Sequence, residues 1–584
     1  MSSKTITKKI INSPESCVDD NLRGVIALYP NLKLHPKHRV VTIRQDTDSG
    51  RVAIIGGGGS GHEPFASGFI GAGMLDGAVA GGVFASPPTG NILYAIKQLF
   101  KYNSGGVLVS LGNYTGDRLN FGKAIEKAKI AGIKAESLII GEDVASSKNK
   151  TGGRSMCGEV LIYKFCGAMS AKGYDLQSIR NMAVEINRNM ATLGITLTAC
   201  SLPGQPPLFE IATDEMEIGA GVHGEAGIEK RKMGTAKQIV ALTLDPIIGH
   251  LKLKSGDRVA AVLNNMGGTS CMEMNIIATE TKDYLDAKQI RLERMYSGAL
   301  KTSLEMQGFQ ICLLHLNDVN GNLWLELLDA PTESIGWTGG SMSVPKKTTN
   351  QITDDDDDLS LQNTGRKAGV GPRLSTQEQD IARGSLKAAA DAVIRSEELL
   401  NRLDSGCGDG DCGITLKKFG EAILTYLKTA SLEYPSDVMW ELSEMAETDM
   451  GGTSGGIYSL GLSAASQALA NATSNSRNSW LSAWESAMQA ITKYGGADPG
   501  DRTMLDTLHT ASVTFKQTLT EDLQTALTKT AQSADIGAKA TANMIARAGR
   551  ASYVASEYIQ EEDAGARAAA LWISAIVQHI AQTY

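Results

Sequence analysis

Short runs of β-branched and aliphatic residues punctuate the first 340 positions: Arg51-Val-Ala-Ile-Ile55, Gly106-Val-Leu-Val-Ser110, Ser137-Leu-Ile-Ile140, Arg258-Val-Ala-Ala-Val-Leu263 and Phe309-Gln-Ile-Cys-Leu-Leu314. Continuous apolar runs of this length, bounded by glycine, predict strands buried on both faces. Stretches of helical period, Leu119 to Ala131 and Ala236 to Leu244, lie between them. That alternation predicts an α/β domain over residues 1–340. Further on the pattern changes. Leu386, Ala389, Val393, Leu400 and Leu403 fall on one helical face, Ser375 or Thr376 is placed to cap its start, and Ala564 to Tyr584 is equally helical. Residues 373–584 therefore read as an all-α bundle or barrel. The intervening 341–372 has few large apolar residues and a run from Asp354 to Asp358. It lacks the alternating ligands and central glycine of a calcium loop, so it reads as an acidic, flexible linker.

Charge narrows the possible partners. With 56 Lys and Arg against 64 Asp and Glu, the net charge is −8. An acidic chain without a basic tract is poorly suited to nucleic acid. No apolar run approaches the roughly 18 residues that span a bilayer. The opening MSSKTITKKIINSPES has lysines but no apolar segment, so it is not read as a secretory signal. Eight scattered cysteines without a CxxC pair suit a reducing cytoplasm rather than a disulfide framework. Glycine is in excess, 63 of 584 residues without a G-X-Y period, which predicts many tight turns or close backbone approaches.

Several of those glycines surround polar groups. After the first strong strand comes Gly56-Gly-Gly-Gly59-Ser60-Gly61-His62-Glu63-Pro64. Gly56, Gly58 and Gly61 satisfy G-x-G-x-x-G, but the acidic residue about twenty positions on is missing, and His62-Glu63 stand where a Walker loop needs Lys and Ser/Thr. A bare turn and a ligand loop both remain open. The next strand ends in Asn113-Tyr114-Thr115-Gly116-Asp117-Arg118. In α/β sheets ligands bind at the carboxyl ends of strands, so Asp117 is placed as a base or as a simple helix cap. His223 lies in Gly219-Ala-Gly221-Val-His223-Gly224-Glu225, where a partner could approach it or where it is only structural. Asp404, Asp409 and Asp411 fall within eight residues of a glycine-rich turn, which can converge carboxylates on a hard cation such as Mg²⁺ or leave them solvated. Met450-Gly451-Gly452-Thr453-Ser454-Gly455-Gly456 suits an anion cradle of backbone N–H groups. The Met-Gly-Gly-Thr-Ser of residues 266–270 shares no flanks with it and reads as coincidence.

Together these segments resemble the dihydroxyacetone kinase family in its single-chain, ATP-dependent form. The resemblance covers nearly the whole chain and rests on GGGSGHEP (57–64), GFIGAGML (68–75), NYTGDRLNFG (113–122), GVHGEAG (221–227), GDGDCG (408–413), MGGTSGG (450–456), GDRTML (500–505) and GRASY (549–553). Within the family it is most similar to the animal members that also cleave FAD to cyclic FMN. The resemblance implies an α/β substrate domain, an eight-helix nucleotide-binding barrel and a homodimer. It implies that His223 adds to the triose carbonyl to give a hemiaminal, that Asp117 accepts the proton of the attacking hydroxyl, and that His62 assists. Gly59, Ser60, Gly61 and the position of Gly112 would complete the substrate site. Asp404, Asp409 and Asp411 would hold Mg²⁺, with Mn²⁺ or Co²⁺ possible for FAD cleavage. ATP would meet Asp411, Cys412, Gly413, Ile414, Thr453, Ser454, Gly495, Arg502, Thr503, Arg550, Asp563, Ala564 and Gly565.

Two departures qualify this. The family commonly carries lysine before Asn-Tyr-Thr-Gly-Asp, where this chain has Gly112. Loss of one cationic contact to a transferring phosphoryl group costs on the order of 3 kcal/mol. A weakened kinase homologue acting as a binding or regulatory protein is therefore the alternative. The second is Asp563-Ala564-Gly565-Ala566 in place of Asp-Pro-Gly-Ala, which keeps the carboxylate.

Overall fold

The computed structural model describes residues 6–146, 152–225, 227–337, 367–406, 408, 410–450, 452–554, 559 and 561–583, without the side chains of Arg550 and Tyr553. It divides into two compact units, Met1–Thr353 and Asp354–Tyr584. Most of the expected linker, up to residue 366, lies outside the described residues.

The first unit holds two six-stranded sheets. One contains β1 (Leu32–His35), β2 (Val40–Ile43), β3 (Val52–Ser60), β4 (Gly77–Val83), β5 (Gly106–Gly112) and β6 (Ala135–Ile140), in the order β1-β2-β4-β3-β5-β6. Strands β4, β3, β5 and β6 run parallel, and β1 and β2 add antiparallel edges. The other contains β7 (Met190–Thr196), β8 (Glu215–Ile218), β9 (Glu229–Lys232), β10 (Arg258–Asn265), β11 (Arg291–Gly298) and β12 (Gly308–His315), ordered β11-β10-β12-β7-β8-β9. Its pairs are antiparallel except β10 with β11. All five apolar runs are strands, and the two helical stretches fall in helices Thr115–Ile130 and Ala236–Leu251.

One correction concerns the glycine run. Gly56 to Gly59 form no loop; they continue β3. A Cβ on Gly57 would lie 2.4 Å from the Val79 carbonyl oxygen of β4, and one on Gly56 2.7 Å from the Tyr163 ring. Only a bare backbone lets strand and helix close this tightly.

Helix Glu159–Ala171 is buried along almost its whole length and packs in one core with residues of both sheets, including Ile54 and Leu108 of the first and Val262 and Leu314 of the second. The Cβ of a residue at Gly167 would lie 2.3 Å from Met74 Cα, so this helix seats directly on the backbone beneath it. Its first turn carries Glu159, which accepts from Ser155, the residue beside Gly112 at the end of β5.

The second unit is helical, with no strand among its described residues. Helices Thr376–Arg395, Cys412–Tyr426, Pro435–Met445, Gly452–Ala470, Arg477–Gly495, Met504–Gln517, Leu523–Ala540 and Ala564–Thr583 pack in sequence order, and the last closes on the first. A ninth, Glu397–Asp404, is split from the first at Ser396. Ser375 caps the first helix in a reciprocal box with Glu378. Ala390 rather than Ala389 takes the core position, since 386, 390 and 393 keep the i, i+4, i+7 stripe. No described helix is long and apolar enough to cross a membrane.

Candidate active site

The turn after β3 brings His62 beneath the ring of Phe84, stacked at 5.1 Å between centroids. His62 is 2 % exposed, and its Nδ1 lies 2.8 Å from the Thr302 carbonyl oxygen. A carbonyl only accepts, so Nδ1 carries the proton and Nε2 is left as a bare acceptor. That Nε2 is buried with no hydrogen-bond partner. Burial first, then the neighbouring His223 and Lys301, push the imidazole well below its ordinary range, so the ring is neutral.

Helix Thr115–Ile130 carries Asp117 in its first turn. The carboxylate lies beside Gly58, whose missing Cβ would stand 3.9 Å from Oδ2. Asp117 Oδ1 is likewise buried without a partner. Burial raises this carboxyl and Glu159 adds to it, while Ser86, His223 and Lys301 oppose that. A glycine floor with two unfilled acceptors is a place for a ligand rich in hydroxyl donors.

His223 follows β8. Its ring meets His62 at 4.8 Å and Tyr114 at 4.6 Å, both edge to face. Its Nδ1 lies 3.4 Å from Glu225 Oε1, and its backbone N–H donates to Glu225 Oε2 at 3.0 Å. Burial alone would raise Glu225, but the hydrogen bond and charge of His223 outweigh it and hold the carboxyl at about 2. With Nδ1 turned toward a permanent carboxylate, Nε2 is the nitrogen with a free lone pair. Ser303 Oγ donates to the Val222 carbonyl at 2.6 Å and fixes the loop from below.

Sequence reasoning missed a buried network next to these groups. The Lys301 ammonium, 3 % exposed, lies 2.8 Å from Glu159 Oε2 and 3.0 Å from Ser155 Oγ. Glu159 also accepts from Ser155 at 2.6 Å and Tyr163 at 3.0 Å. Ser155, Glu159 and Tyr163 stand four residues apart in turn, but Lys301 lies 142 residues from Glu159, so no local pattern joins the charge to its partners. Glu225, by contrast, stood two residues from His223 in plain view. Gly112, Gly59, Ser60 and Gly61 all border this region; Ser60 Oγ donates to the Gly81 carbonyl rather than pointing to a ligand.

In the helical unit, Asp404 ends its helix and Oδ2 accepts from the N–H groups of Gly410 (2.9 Å) and Asp411 (3.1 Å), folding the glycine-rich turn back. Asn401, another residue the sequence did not flag, accepts from Gly413 and Ile414 at the start of the next helix. Asp404, Asp563 and Asp411 all bear on the Cys412 thiol, which burial first and then these charges push up to about 12. Asp563 is pushed up to about 6 by burial, with Asp506 and Asp404 adding to it and Arg502 opposing. It also caps the last helix through Ala566 N–H at 2.8 Å, with Ala564 and Gly565 in the turn between. Arg502, at φ +63°, is 2 % exposed. Its Nη2 donates to the Glu561 carbonyl, whereas Nε and Nη1 have no hydrogen-bond partner and Nη1 stands 3.8 Å from Asp563 Oδ1. Thr503 caps its helix with Asp506. Thr453 and Ser454 open helix Gly452–Ala470, one turn before Tyr458, which packs in one cluster with Cys412. Gly495 closes the helix Arg477–Gly495.

Asp409 and the Arg550 side chain lie outside the described residues, and among those described no three His, Cys, Asp or Glu side chains are grouped to hold a metal. The donors present still fit Mg²⁺ and a polyphosphate. Asp404, Asp411 and Asp563, all within electrostatic reach of Cys412, supply the oxygen donors a hard cation takes, and an Arg with buried unpartnered N–H groups suits phosphate oxygens.

Residues 23–336 match the Dak1 domain and 406–578 the DAK2 domain. The chain belongs to the dihydroxyacetone kinase family. It is 39 % identical to the Homo sapiens triokinase/FMN cyclase over 98 % of this chain and 99 % of that one. It is 34 % identical to dihydroxyacetone kinase 1 of Saccharomyces cerevisiae over 94 % and 96 % of the two. The crystal structure of the C. freundii dihydroxyacetone kinase in complex with AMP-PNP and Mg²⁺ aligns over 99 % of this chain and 100 % of that one, with a TM-score of 0.66 at 29 % identity.

Proposed function

We propose that this chain is an ATP-dependent kinase of dihydroxyacetone and glyceraldehyde. The observation that carries it is the pair of buried, unfilled acceptors, His62 Nε2 and Asp117 Oδ1, beside a histidine whose free nitrogen is Nε2. His223 Nε2 adds to the triose carbonyl: an N–C bond forms, the carbonyl π pair moves to oxygen, and that oxygen takes up a proton. The positive charge gained by the ring lies against the Glu225 carboxylate, and loss of the Nδ1 proton leaves a neutral hemiaminal. Only a short ketone or aldehyde reacts this way, so glycerol is rejected by reactivity. Asp117 accepts the proton of the attacking hydroxyl as its oxygen bonds to the γ-phosphorus and ADP leaves. His62, neutral throughout, accepts a hydrogen bond from a substrate hydroxyl.

In the helical unit Asp404, Asp409 and Asp411 would hold Mg²⁺, which when bound neutralises phosphate charge. Thr453, Ser454, Arg502, Thr503 and Arg550 would meet the nucleotide, together with the turns at Gly413, Gly495 and Gly565. We assign FAD cleavage to AMP and cyclic FMN to the same nucleotide residues, with Mg²⁺, Mn²⁺ or Co²⁺, and a cytoplasmic homodimer as the working form. The test is ATP turnover with dihydroxyacetone and with glyceraldehyde, alongside chromatography of FAD products. Turnover of either triose supports the kinase. No turnover with retained triose binding would favour the binding or regulatory reading.

A further inference from the structure

Around the triose site the buried groups are mostly acidic. Asp117 and Glu225 stand near His223, Glu159 near Asp117 and Glu142 near Glu159, and a phosphoryl donor brings more negative charge. Gly112, at the end of β5, offers no side chain to offset it. A Cβ there would stand 3.2 Å from Ser155 Cβ and 3.1 Å from the Tyr114 ring, so a side chain at 112 would start beside both. The hydroxyl of that same Ser155 is already held by the Lys301 ammonium at 3.0 Å.

We propose that Lys301 is the cation of this site, supplying from the turn after β11 the positive charge that position 112 lacks. The inference rests on the kinase reading above. Its backbone is built for the purpose. Asn264 Oδ1 accepts from the Leu300 and Lys301 N–H groups at 2.9 and 3.0 Å, and Asn264 Nδ2 donates to the Lys301 carbonyl at 2.7 Å. The next residue, Thr302, holds His62 through its carbonyl. The ammonium lies over the Phe65 ring at 4.4 Å, which removes it from water and strengthens its field. That field reaches His62, Asp117 and Glu142, adding to the depression of the imidazole and opposing the rise that burial gives the two carboxyls. With Ser155, Glu159 and the face of Phe65 as partners, Lys301 acts through its charge on the acceptors and on the incoming phosphoryl group. It is a positioning residue.

A merely structural Lys301 would serve only to neutralise Glu159, which is fully buried. Four forms of the full chain separate the two roles by steady-state kinetics with dihydroxyacetone and ATP. Lys301→Met is expected to lower kcat about a hundredfold with KM changed less than about threefold, since the charge acts on the transfer step. Because it leaves a buried carboxylate alone, Lys301→Met with Glu159→Gln is the paired control, expected to melt near wild type and keep the kcat loss. Lys301→Met with Gly112→Lys is expected to regain at least tenfold of kcat, whereas Gly112→Lys alone gains nothing. Wild-type kcat in the folded Lys301→Met/Glu159→Gln protein would overturn the proposal, as would absence of rescue by Gly112→Lys. A wild-type chain without triose turnover would instead overturn the kinase reading, and the role of Lys301 with it.

Discussion

His62 and His223 meet edge to face with ring centroids 4.8 Å apart, yet their free nitrogens are prepared in different ways. His62 gives its Nδ1 proton to the Thr302 carbonyl, a neutral acceptor. His223 directs Nδ1 at Glu225, a carboxylate held at about 2 and so charged at every working pH. Only the second ring has a counter-ion for the charge that builds when an imidazole adds to a carbonyl. His223→Ala is therefore expected to abolish triose phosphorylation while leaving ATP binding and FAD cleavage intact. Glu225→Gln should lower kcat/KM for triose about a hundredfold. Parallel assays of both activities check this, and loss of FAD cleavage in His223→Ala would refute the covalent role.

Asp117 sets the pH dependence. Burial raises its carboxyl above the ordinary aspartate value, and as a base it must be ionised. Activity is therefore lost as pH falls through a pKa above the roughly 3.9 of a free side chain. His62 contributes no limb near neutrality, because burial keeps it neutral. A pH profile of kcat/KM for triose should show an acid limb from this carboxyl that Asp117→Asn removes along with activity, since that variant should be inactive at every pH.

How much of this was written in the chain depends on range. The strands, the helical second half and the glycine segments with His62, Asp117 and His223 are local signals of period and spacing. The extension of β3 through Gly56–Gly59 was not legible, because it depends on Val79 and Tyr163, which close in only after folding. The Lys301–Glu159–Ser155 network joins positions more than a hundred residues apart. Asn401, folding a turn twelve residues on, has no short motif to announce it.

Gly61 illustrates a glycine whose absence of a side chain is structural and functional at once. Its φ is +95°, and a Cβ would lie 2.8 Å from the Phe84 ring that stacks on His62. Gly61→Ala strains the backbone by about 1–2 kcal/mol and pushes Phe84 against His62. A lowered melting temperature with a raised KM for triose is expected. Wild-type KM would show that Phe84 yields freely.

Arg502 has two buried N–H-bearing nitrogens with nothing to bond, an arrangement that costs free energy until an anion arrives. Hydrogen bonds to charged groups contribute about 1.5–3 kcal/mol each. Arg502→Lys, which keeps the charge but loses the fork, should weaken ATP binding by about tenfold or more and leave triose binding to the α/β unit unchanged. Calorimetric titration with a non-hydrolysable ATP analogue reads the first, and unchanged affinity would remove Arg502 from the nucleotide site.

Glu142 makes a prediction about stability alone. Its Oε1 accepts from the N–H groups of Met156 and Gly158, Oε2 is buried without a partner, and burial raises the carboxyl from 4.5 to about 7. Because the folded state holds this proton more tightly than the unfolded chain, the stability it brings is fully present below about pH 4.5. It is lost as pH rises toward 7. A shift of that size corresponds to about 3 kcal/mol between those limits. Glu142→Gln cannot ionise, so that loss is absent, but it buries an amide N–H₂ where Oε2 had no partner. The variant should therefore be less stable than wild type at pH 5 and equal or more stable at pH 8. Denaturant unfolding of both proteins at the two pH values tests the crossing; parallel pH dependences would mean that Glu142 stays ionised in the fold.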